Sequence, residues 1–321
     1  MLDAFLNGLS AIVVIVVIAG FGYFTAARGW YDDKGRQLIA RIVNLSIPCL
    51  LFYSLTSRFT HEAFIDMLRI VPISFLTVGV NFLISVLLVK KGYVDRKMGG
   101  TFIACFTTST VLFIGIPLIW SLYGDKGLPY LLVYFFANSL FTWSLGIFNI
   151  QLEGSLRRGE PRPKLLSAKN LKMILSPPIL GFAAAVIFLV FSIPIPKPLA
   201  MIVQYMGQLS SPLALIFVGI TVYLVGFKRL RNLNRELVLI MLSCFLLRPA
   251  LVALFSLPFD LPPGARQAFI MSATLPVSST IPVLAKVYGA SPAFASEAVG
   301  ITTAAYVFVL PVLILVVTLL F

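Results

Sequence analysis

The chain has 321 residues, of which 59% are apolar and only 12% are charged, and its mean hydropathy is +0.99. Soluble globular proteins carry roughly 25% charged residues, so this composition excludes that class and indicates a membrane protein. The 25 Lys and Arg residues exceed the 12 Asp and Glu residues by 13, but the cations occupy short gaps between apolar runs. We therefore expect no nucleic-acid partner, because nucleic-acid binding needs a continuous basic face.

Windows of about 19 residues identify apolar runs that are long enough to cross a bilayer as helices. The first run carries Asp3 where a signal peptide has basic residues, and it is longer than a signal peptide, so we interpret it as a spanning helix. Membrane-spanning strands alternate over about ten residues, unlike these continuous runs, so the predicted fold class is all-α. The ten predicted spans, numbered 1 to 10, cover approximately residues 8–27, 37–57, 67–89, 100–123, 129–152, 171–193, 199–226, 236–257, 266–288 and 294–320.

The distribution of Lys and Arg predicts the orientation of these spans. Loops that follow odd-numbered spans contain 18 of the 25 cations, whereas loops that follow even-numbered spans contain five. Because cytoplasmic loops are enriched in Lys and Arg, we expect both termini to lie outside the cytoplasm. The predicted location is the lipid bilayer of the cytoplasmic (inner) membrane, crossed several times.

The chain divides near its middle. The most polar gap, residues 153–170, contains the sequence RRGEPRPK, and we interpret it as a cytoplasmic linker between two five-span units, residues 1–152 and 171–321. An odd number of crossings reverses the orientation of the second unit. Such inverted repeats are typical of secondary transporters, whose binding site lies near the membrane midplane between the repeats.

Two sequence matches support an internal repeat. NLSIP at 44–48 matches QLSSP at 208–212, and IPLxxxxYG at 116–124 matches IPVxxxxYG at 281–289. The first match relates span 2 to span 7, and the second relates span 4 to span 9. The repeat architecture therefore predicts that these span pairs are equivalent.

Spans 4 and 9 combine prolines with hydroxyl residues, in FTTSTVLFIGIP and SATLPVSSTIP. Proline removes a backbone donor, and carbonyls that lose their partners are tolerated at membrane depth only under protein or beside a water-filled cavity. One interpretation is a pair of kinked helices whose hydroxyls bond their own backbone. The other is a pair of broken helices whose ends face an anion, and the equivalent positions favour it. The candidate substrate-binding residues here are Ser109, Thr110, Gly115, Pro117, Pro276, Ser278, Ser279, Thr280 and Pro282.

Further candidates lie on spans 2, 7 and 8. Asn44 and Gln208 each precede a proline by four residues, so Asn44, Gln208 and Ser210 could line the opposite wall of a cavity. Each could instead form a hydrogen bond between helices. Arg248 lies near the middle of span 8 and is a candidate counter-charge for a carboxylate. The alternative is an arginine whose side chain extends to the membrane interface.

Enzyme and metal motifs are missing from the sequence. The sole histidine, His61, lies in a predicted loop, and there is no HExxH and no phosphate-binding GxxxxGK[ST]. Cys49, Cys105 and Cys244 lie within apolar runs without a CxxC. We expect no catalysis, no cofactor and no metal site. Any transport would be secondary, and the coupling ion, H⁺ or Na⁺, stays open because no acidic residue lies at the middle of a span.

The stretches STVLFIGIPLIWSLYG (109–124) and TLPVSSTIPVLAKVYGASP (274–292) resemble the crossover segments of the auxin efflux carrier family. The resemblance extends over nearly the whole chain. It implies a scaffold of spans 1, 2, 6 and 7, a moving domain of spans 3–5 and 8–10, and a homodimer as the quaternary structure. It further implies a small organic carboxylate as substrate, such as malonate, malate or an auxin-like anion, bound where spans 4 and 9 cross.

Two departures from the plant members of that family argue against a plant hormone as substrate. Ser109 and Thr110 stand where plant members have Pro-Asn, and the loop after span 5 is short. Three alternatives are open: a sodium-coupled carrier that resembles the bile-acid symporters, a channel, and a transporter-like sensor.

Overall fold

The computed structural model describes residues 2–58, 67–163, 177–225 and 233–321. Within these ranges all regular secondary structure is helical, apart from an isolated β-bridge, which confirms the predicted all-α class. Six helical stretches in the described part of the chain are long and apolar enough to cross a bilayer. They are Lys34–Ser57, Val71–Lys90, Leu128–Arg158, Lys197–Leu224, Arg235–Ser256 and Pro292–Leu320.

The α-helices are numbered here in chain order. The first half of the chain contains α1 (Leu2–Ala27), α2 (Asp33–Arg58), α3 (Val71–Lys90), α4 (Gly99–Thr107), α5 (Ile116–Tyr123), α6 (Leu128–Phe141) and α7 (Ile147–Arg158). The second half contains α8 (Pro177–Val190), α9 (Lys197–Gln208), α10 (Ser210–Val225), α11 (Arg235–Leu242), α12 (Arg248–Ser256), α13 (Pro263–Ala273), α14 (Ile281–Val287) and α15 (Pro292–Leu320).

Several boundaries differ from those expected from the sequence. Helix α7 continues to Arg158, so the first residues assigned to the linker are helical, and residues 164–176 lie outside the described residues. Span 7 is divided at Leu209 into α9 and α10, whereas α2 continues past its internal Pro48. The two prolines occupy different positions in their helices. Pro48 lies inside α2, whereas Pro212 lies in the first turn of α10, where the missing N–H costs no helical hydrogen bond.

Turns of π-helix connect α6 to α7 and α11 to α12, so both pairs run as continuous helical stretches. The second turn, Ser243–Leu247, ends two residues before Pro249. Because Pro249 has no N–H to offer the carbonyl four residues earlier, the helix shifts to a wider turn, and the Arg248 N–H bonds the Ser243 carbonyl instead.

The helices pack as two bundles. Helices α1, α2, α8, α9 and α10 form the small bundle, in which α2 contacts α8, α9 and α10, and α1 contacts α10. The remaining helices form the large bundle, for example through contacts of α3 with α4, α6 and α12, and of α13 with α6 and α12. Between the bundles, α1 also contacts α5 and α15. Large apolar side chains are exposed on both bundles, including Val17, Leu45, Leu83, Leu246 and Phe308, as expected of surfaces that face lipid.

Glycines allow the closest helix contacts of the small bundle. A Cβ atom at Gly22 of α1 would lie 2.1 Å from the Ile216 carbonyl oxygen of α10, and one at Gly219 would lie 1.8 Å from the Ala19 carbonyl oxygen. These distances are far below van der Waals contact, so only glycine permits this approach of α1 and α10. Small residues at helix crossings are typical of membrane proteins, where close packing rather than water exclusion drives association.

A buried carboxylate joins the two halves of the chain within the large bundle. Glu153 of α7 is 2% exposed, and its two oxygens accept hydrogen bonds from the Thr101 N–H (2.7 Å) and from the Ser291 hydroxyl (2.5 Å). The neighbouring Arg157 forms an ion pair with Glu153 at 3.5 Å and donates to the Lys97 carbonyl at 2.8 Å. The end of α7 therefore ties the loop before α4 to the turn before α15.

We expect Gly22→Ala to lower the midpoint of thermal unfolding in detergent, because the added methyl group must push α10 away from α1. Overpacking of this kind costs about 1–3 kcal/mol. The matched control is Gly20→Ala on the same helix, where a Cβ atom meets nothing within 4 Å. That change should be neutral or stabilising by up to about 1 kcal/mol, since alanine favours helix over glycine. Equal midpoints for the two variants would contradict the close contact.

Glu153→Ala should destabilise the protein by about 2–4 kcal/mol, because it leaves the buried Thr101 N–H without its acceptor and removes the carboxylate that pairs with Arg157. The control is Glu160→Ala, which removes an exposed ion pair with Arg158 and should leave the unfolding midpoint unchanged. Thermal unfolding followed by circular dichroism distinguishes the two. A Glu153→Ala protein as stable as the control would show that the carboxylate does not join the halves.

Candidate functional site

Spans 4 and 9 are both interrupted, and their interruptions lie against each other. Helix α4 ends at Thr107 and α5 begins at Ile116, while α13 ends at Ala273 and α14 begins at Ile281. Between these ends, an antiparallel bridge pairs Ser109 with Val277. In addition, the Thr110 N–H donates to the Pro276 carbonyl at 2.9 Å. We call this place the crossing, meaning residues 108–110 and 274–280.

Asn138 of α6 holds the extended backbone of the crossing. Its Oδ1 accepts a hydrogen bond from the Ser109 N–H at 2.8 Å, and its Nδ2 donates to the Ser109 carbonyl at 3.2 Å. The side-chain amide thus pairs with Ser109 as a neighbouring strand would. Asn138 is only 4% exposed, so both of these backbone groups would be buried without a partner if its side chain were lost.

Polar side chains from neighbouring helical segments form hydrogen bonds with backbone groups at the ends of the interrupted helices. The Phe106 carbonyl, in the last turn of α4, accepts hydrogen bonds from Asn81 Nδ2 (2.9 Å) and from the Ser243 hydroxyl (2.8 Å). In the other segment, the Val277 N–H donates to the Thr302 hydroxyl at 3.2 Å. These partners explain how non-helical backbone persists among apolar helices.

Arg248 lies behind the crossing and contacts both segments. Its side chain has no exposed surface, Nη1 donates to the Ser109 hydroxyl, and Nη2 donates to the Leu275 carbonyl at 3.1 Å. Nε contacts the Ser243 carbonyl at 3.4 Å. Among the residues that the structure describes, no carboxylate lies within ion-pair distance of this guanidinium.

A cavity of about 370 Å³ lies beside the crossing, within the size range of small-molecule sites. Its opposite wall is apolar and comes from the small bundle, through Ala40 and Ile47 of α2 and Phe217 of α10. No charged side chain lines this cavity in the described part of the chain. Its polar wall consists of seven hydroxyl side chains and one amide, from Ser109, Thr110, Asn138, Ser139, Thr142, Ser278, Ser279 and Thr280.

Comparisons with known proteins identify the type of protein to which this site belongs. A family described as membrane transport proteins matches residues 8–314. The chain belongs to this family. The result confirms the resemblance to the auxin efflux carriers that the two crossover motifs carry.

Two relatives from this comparison are transporters by name. An "Uncharacterized transporter" of Methanothermobacter thermautotrophicus is 25% identical over 252 residues, which is 78% of each chain. A "Putative malonate transporter" of Rhizobium meliloti is 26% identical over 297 residues, which is 88% of this chain and 87% of the relative.

In this membrane transport protein, the candidate residues predicted from the sequence have three kinds of position. Ser109, Thr110, Ser278, Ser279 and Thr280 line the cavity. The second group shapes the interrupted segments. Pro117 and Pro282 are the second residues of α5 and α14, and the Pro276 carbonyl accepts the backbone hydrogen bond from Thr110. A Cβ atom at Gly115 would lie 2.8 Å from the Leu275 side chain.

The remaining candidates lie away from the cavity. Arg248 reaches the cavity only through Ser109, and Gln208 is exposed at the end of α9. Ser210 is 3% exposed and donates to the Ser46 hydroxyl at 2.8 Å, which is the hydrogen bond between helices that the sequence left as the alternative. The side chain of Asn44 lies outside what the structure describes.

The sequence analysis missed three polar residues, Asn138 and Ser139 of α6 and Thr142 in the π-helical turn that follows it. Their signal was present, because an asparagine inside the apolar run YFFANSLFTW needs a hydrogen-bonding partner at membrane depth. The partner, the backbone of Ser109, is distant in sequence and could not be identified without the tertiary structure.

Asn138→Ala should destabilise the protein by about 2–4 kcal/mol, because it leaves the N–H and the carbonyl of Ser109 buried and unpaired. The matched control is Asn149→Ala, since the Asn149 side chain donates to the Leu145 carbonyl, one turn earlier in the same helical stretch; that change should stay within about 0.5 kcal/mol. Thermal unfolding in detergent measures both. The pairing with Ser109 would be disproved by equal effects of the two substitutions.

Proposed function

We propose that this protein is a secondary transporter, not an enzyme, and that it carries a small organic carboxylate across the cytoplasmic membrane by alternating access. The observation that carries the proposal is the position of the cavity. It lies between the crossing, which belongs to the large bundle, and the apolar wall of α2 and α10, which belongs to the small bundle. A site between two bundles can change the side to which it opens when one bundle moves against the other.

The proposed architecture is ten spans in two inverted five-span units. The six long helical stretches match spans 2, 3, 5, 7, 8 and 10, and the other four spans correspond to α1, α8 and the two interrupted helices. Residues related by the sequence repeat also behave alike. Ser46 and Ser210 contact each other, as equivalent residues do beside a pseudo-twofold axis, and Gly124 and Gly289 both have positive φ, at 61° and 67°.

The chemistry of the cavity supports a small anion. Hydroxyls of the polar wall, such as those of Thr110 and Ser279, can donate hydrogen bonds to a carboxylate, and the apolar wall suits a short carbon chain. With no charged side chain on the cavity surface, binding relies on donors held in place by the crossing. Malonate is the first substrate to test, because a relative of similar length is named for it.

Movement of the large bundle as one body follows from its internal connections. Glu153 and Arg157 tie the two halves together, and Arg248, Asn138 and Asn81 hold the interrupted segments to their neighbours. The small bundle would be the stationary scaffold, an elevator-like arrangement with both termini outside the cytoplasm. The resemblance implies a homodimer, and the mass of the purified particle tests it.

The test is uptake of radiolabelled malonate by proteoliposomes. We expect saturable uptake that unlabelled malonate and malate suppress. The Thr110→Val and Ser279→Ala variants should lower kcat/KM about tenfold or more, the equivalent of about 1.4 kcal/mol for a lost donor. The matched control is Thr56→Val, because the Thr56 hydroxyl donates to the Phe52 carbonyl of its own helix and Thr56 is not among the described residues that line the cavity.

The outcomes separate the proposal from its alternatives. Strict dependence of uptake on Na⁺ would favour a sodium-coupled carrier, unitary currents would indicate a channel, and binding without uptake would indicate a sensor. The proposal fails if no carboxylate in a panel of mono- and dicarboxylates shows competed uptake, or if both cavity variants match the Thr56→Val control.

A further inference from the structure

The guanidinium of Arg248 is a buried charge without an acidic partner. The side chain is completely buried, and it contacts a hydroxyl and two carbonyls but no carboxylate among the described residues. Burial of a charge in a membrane-spanning segment is costly, so its retention needs compensation from nearby oxygen atoms. The partial negative charge of these three oxygens therefore contributes to holding the cation.

One of the three oxygens, the Leu275 carbonyl, belongs to the end of an interrupted helix, and the Ser109 hydroxyl lies beside the end of a second one. Ser109 follows the last residue of α4 by two positions, and Leu275 follows the last residue of α13 by two positions. A helix C-terminus carries a partial charge of roughly −0.5, so two such ends at one place repel each other and attract a cation. In transporters with broken helices, this is the environment in which carbonyls coordinate Na⁺.

We propose that Arg248 is a permanent internal cation, which occupies at the crossing the place of a dissociable inorganic cation. It follows that the carrier binds its carboxylate without Na⁺, a consequence that rests on the proposed function. The guanidinium neutralises the two helix ends in every state of the transport cycle, because it is covalently part of α12. A site that already holds a fixed cation has no electrostatic need for a second one.

Arg248 acts on the substrate as a positioning residue, through Ser109. It does not line the cavity, whereas Ser109 does. The Ser109 oxygen accepts a hydrogen bond from Nη1, so the Ser109 hydroxyl hydrogen remains available for another acceptor. A donor that is itself bonded to a cation is strengthened, which favours an anion on the cavity side.

The experiment compares the wild-type protein with Arg248→Ala and Arg248→Lys in detergent, with malonate as the ligand and calorimetry and thermal unfolding as readouts. Wild-type affinity should be equal in sodium chloride and choline chloride. Arg248→Ala should lower both the unfolding midpoint and the malonate affinity, the latter about tenfold or more. Methylguanidinium should partly restore both quantities, and methylurea, a neutral molecule of the same shape, should not. Arg248→Lys should keep Na⁺-independent binding.

Arg266→Ala is the matched control. Arg266 also donates to carbonyls, those of Ser256 and Phe259, but it lies away from the crossing. Its substitution should leave the malonate affinity and the effect of sodium unchanged. The control therefore separates the effect of Arg248 from the effect of removing any arginine that donates to carbonyls.

Each outcome decides the inference. A tenfold or larger gain in wild-type affinity on adding Na⁺ overturns it, as does equal restoration by methylurea and methylguanidinium, or an Arg248→Ala protein that is unchanged. If Arg248→Ala does not fold, the inference is tested by the wild-type affinities in sodium chloride and choline chloride and by the sodium dependence of malonate binding to Arg248→Lys. If the wild-type protein binds no malonate, selective restoration of the Arg248→Ala midpoint by methylguanidinium still supports the internal cation, and only the proposed substrate fails.

Discussion

The structure depends on one constraint: backbone groups that leave a helix inside an apolar protein must find hydrogen-bonding partners nearby. Spans 4 and 9 are both interrupted, and they solve this problem partly for each other, through the Ser109–Val277 bridge and the Thr110–Pro276 hydrogen bond. Asn138 accepts a hydrogen bond from the Ser109 N–H, and Arg248 donates one to the Leu275 carbonyl. Each partner belongs to a different helix, so the requirement to pair the crossing determines how α6, α12 and α13 are arranged around it.

The cavity is a consequence of the same arrangement. Hydroxyl side chains that would bond their own backbone in a continuous helix are instead presented by extended segments, and Thr110 and Ser279 thereby face open space. The small bundle contributes apolar side chains alone to the opposite wall that we describe, through Ala40, Ile47 and Phe217. Polar recognition therefore belongs to the large bundle, whereas the small bundle, packed tightly through Gly22 and Gly219, provides a surface with few bonds to break during movement.

The two buried charges Glu153 and Arg248 have different roles in this protein. Glu153 pairs with the exposed Arg157 at the end of α7, close to the polar linker, and the pair connects two loops. Arg248 is deeply buried, and it donates hydrogen bonds to neutral oxygens. An ion pair suits the first place because it joins two chain segments. An unpaired cation suits the second because the helix ends themselves supply the negative partial charge.

The sequence by itself determined the helical class and the family, and it indicated that the helices of spans 4 and 9 are interrupted, because apolar length and proline position act locally. It also identified five of the residues that line the cavity, since hydroxyls next to prolines are a local signal. The tertiary structure alone decided the roles of Asn138, Ser210 and Arg248, which depend on contacts with residues distant in the chain. Nothing local distinguishes an arginine that meets a substrate from one that meets two helix ends, because that depends on which helices converge around it.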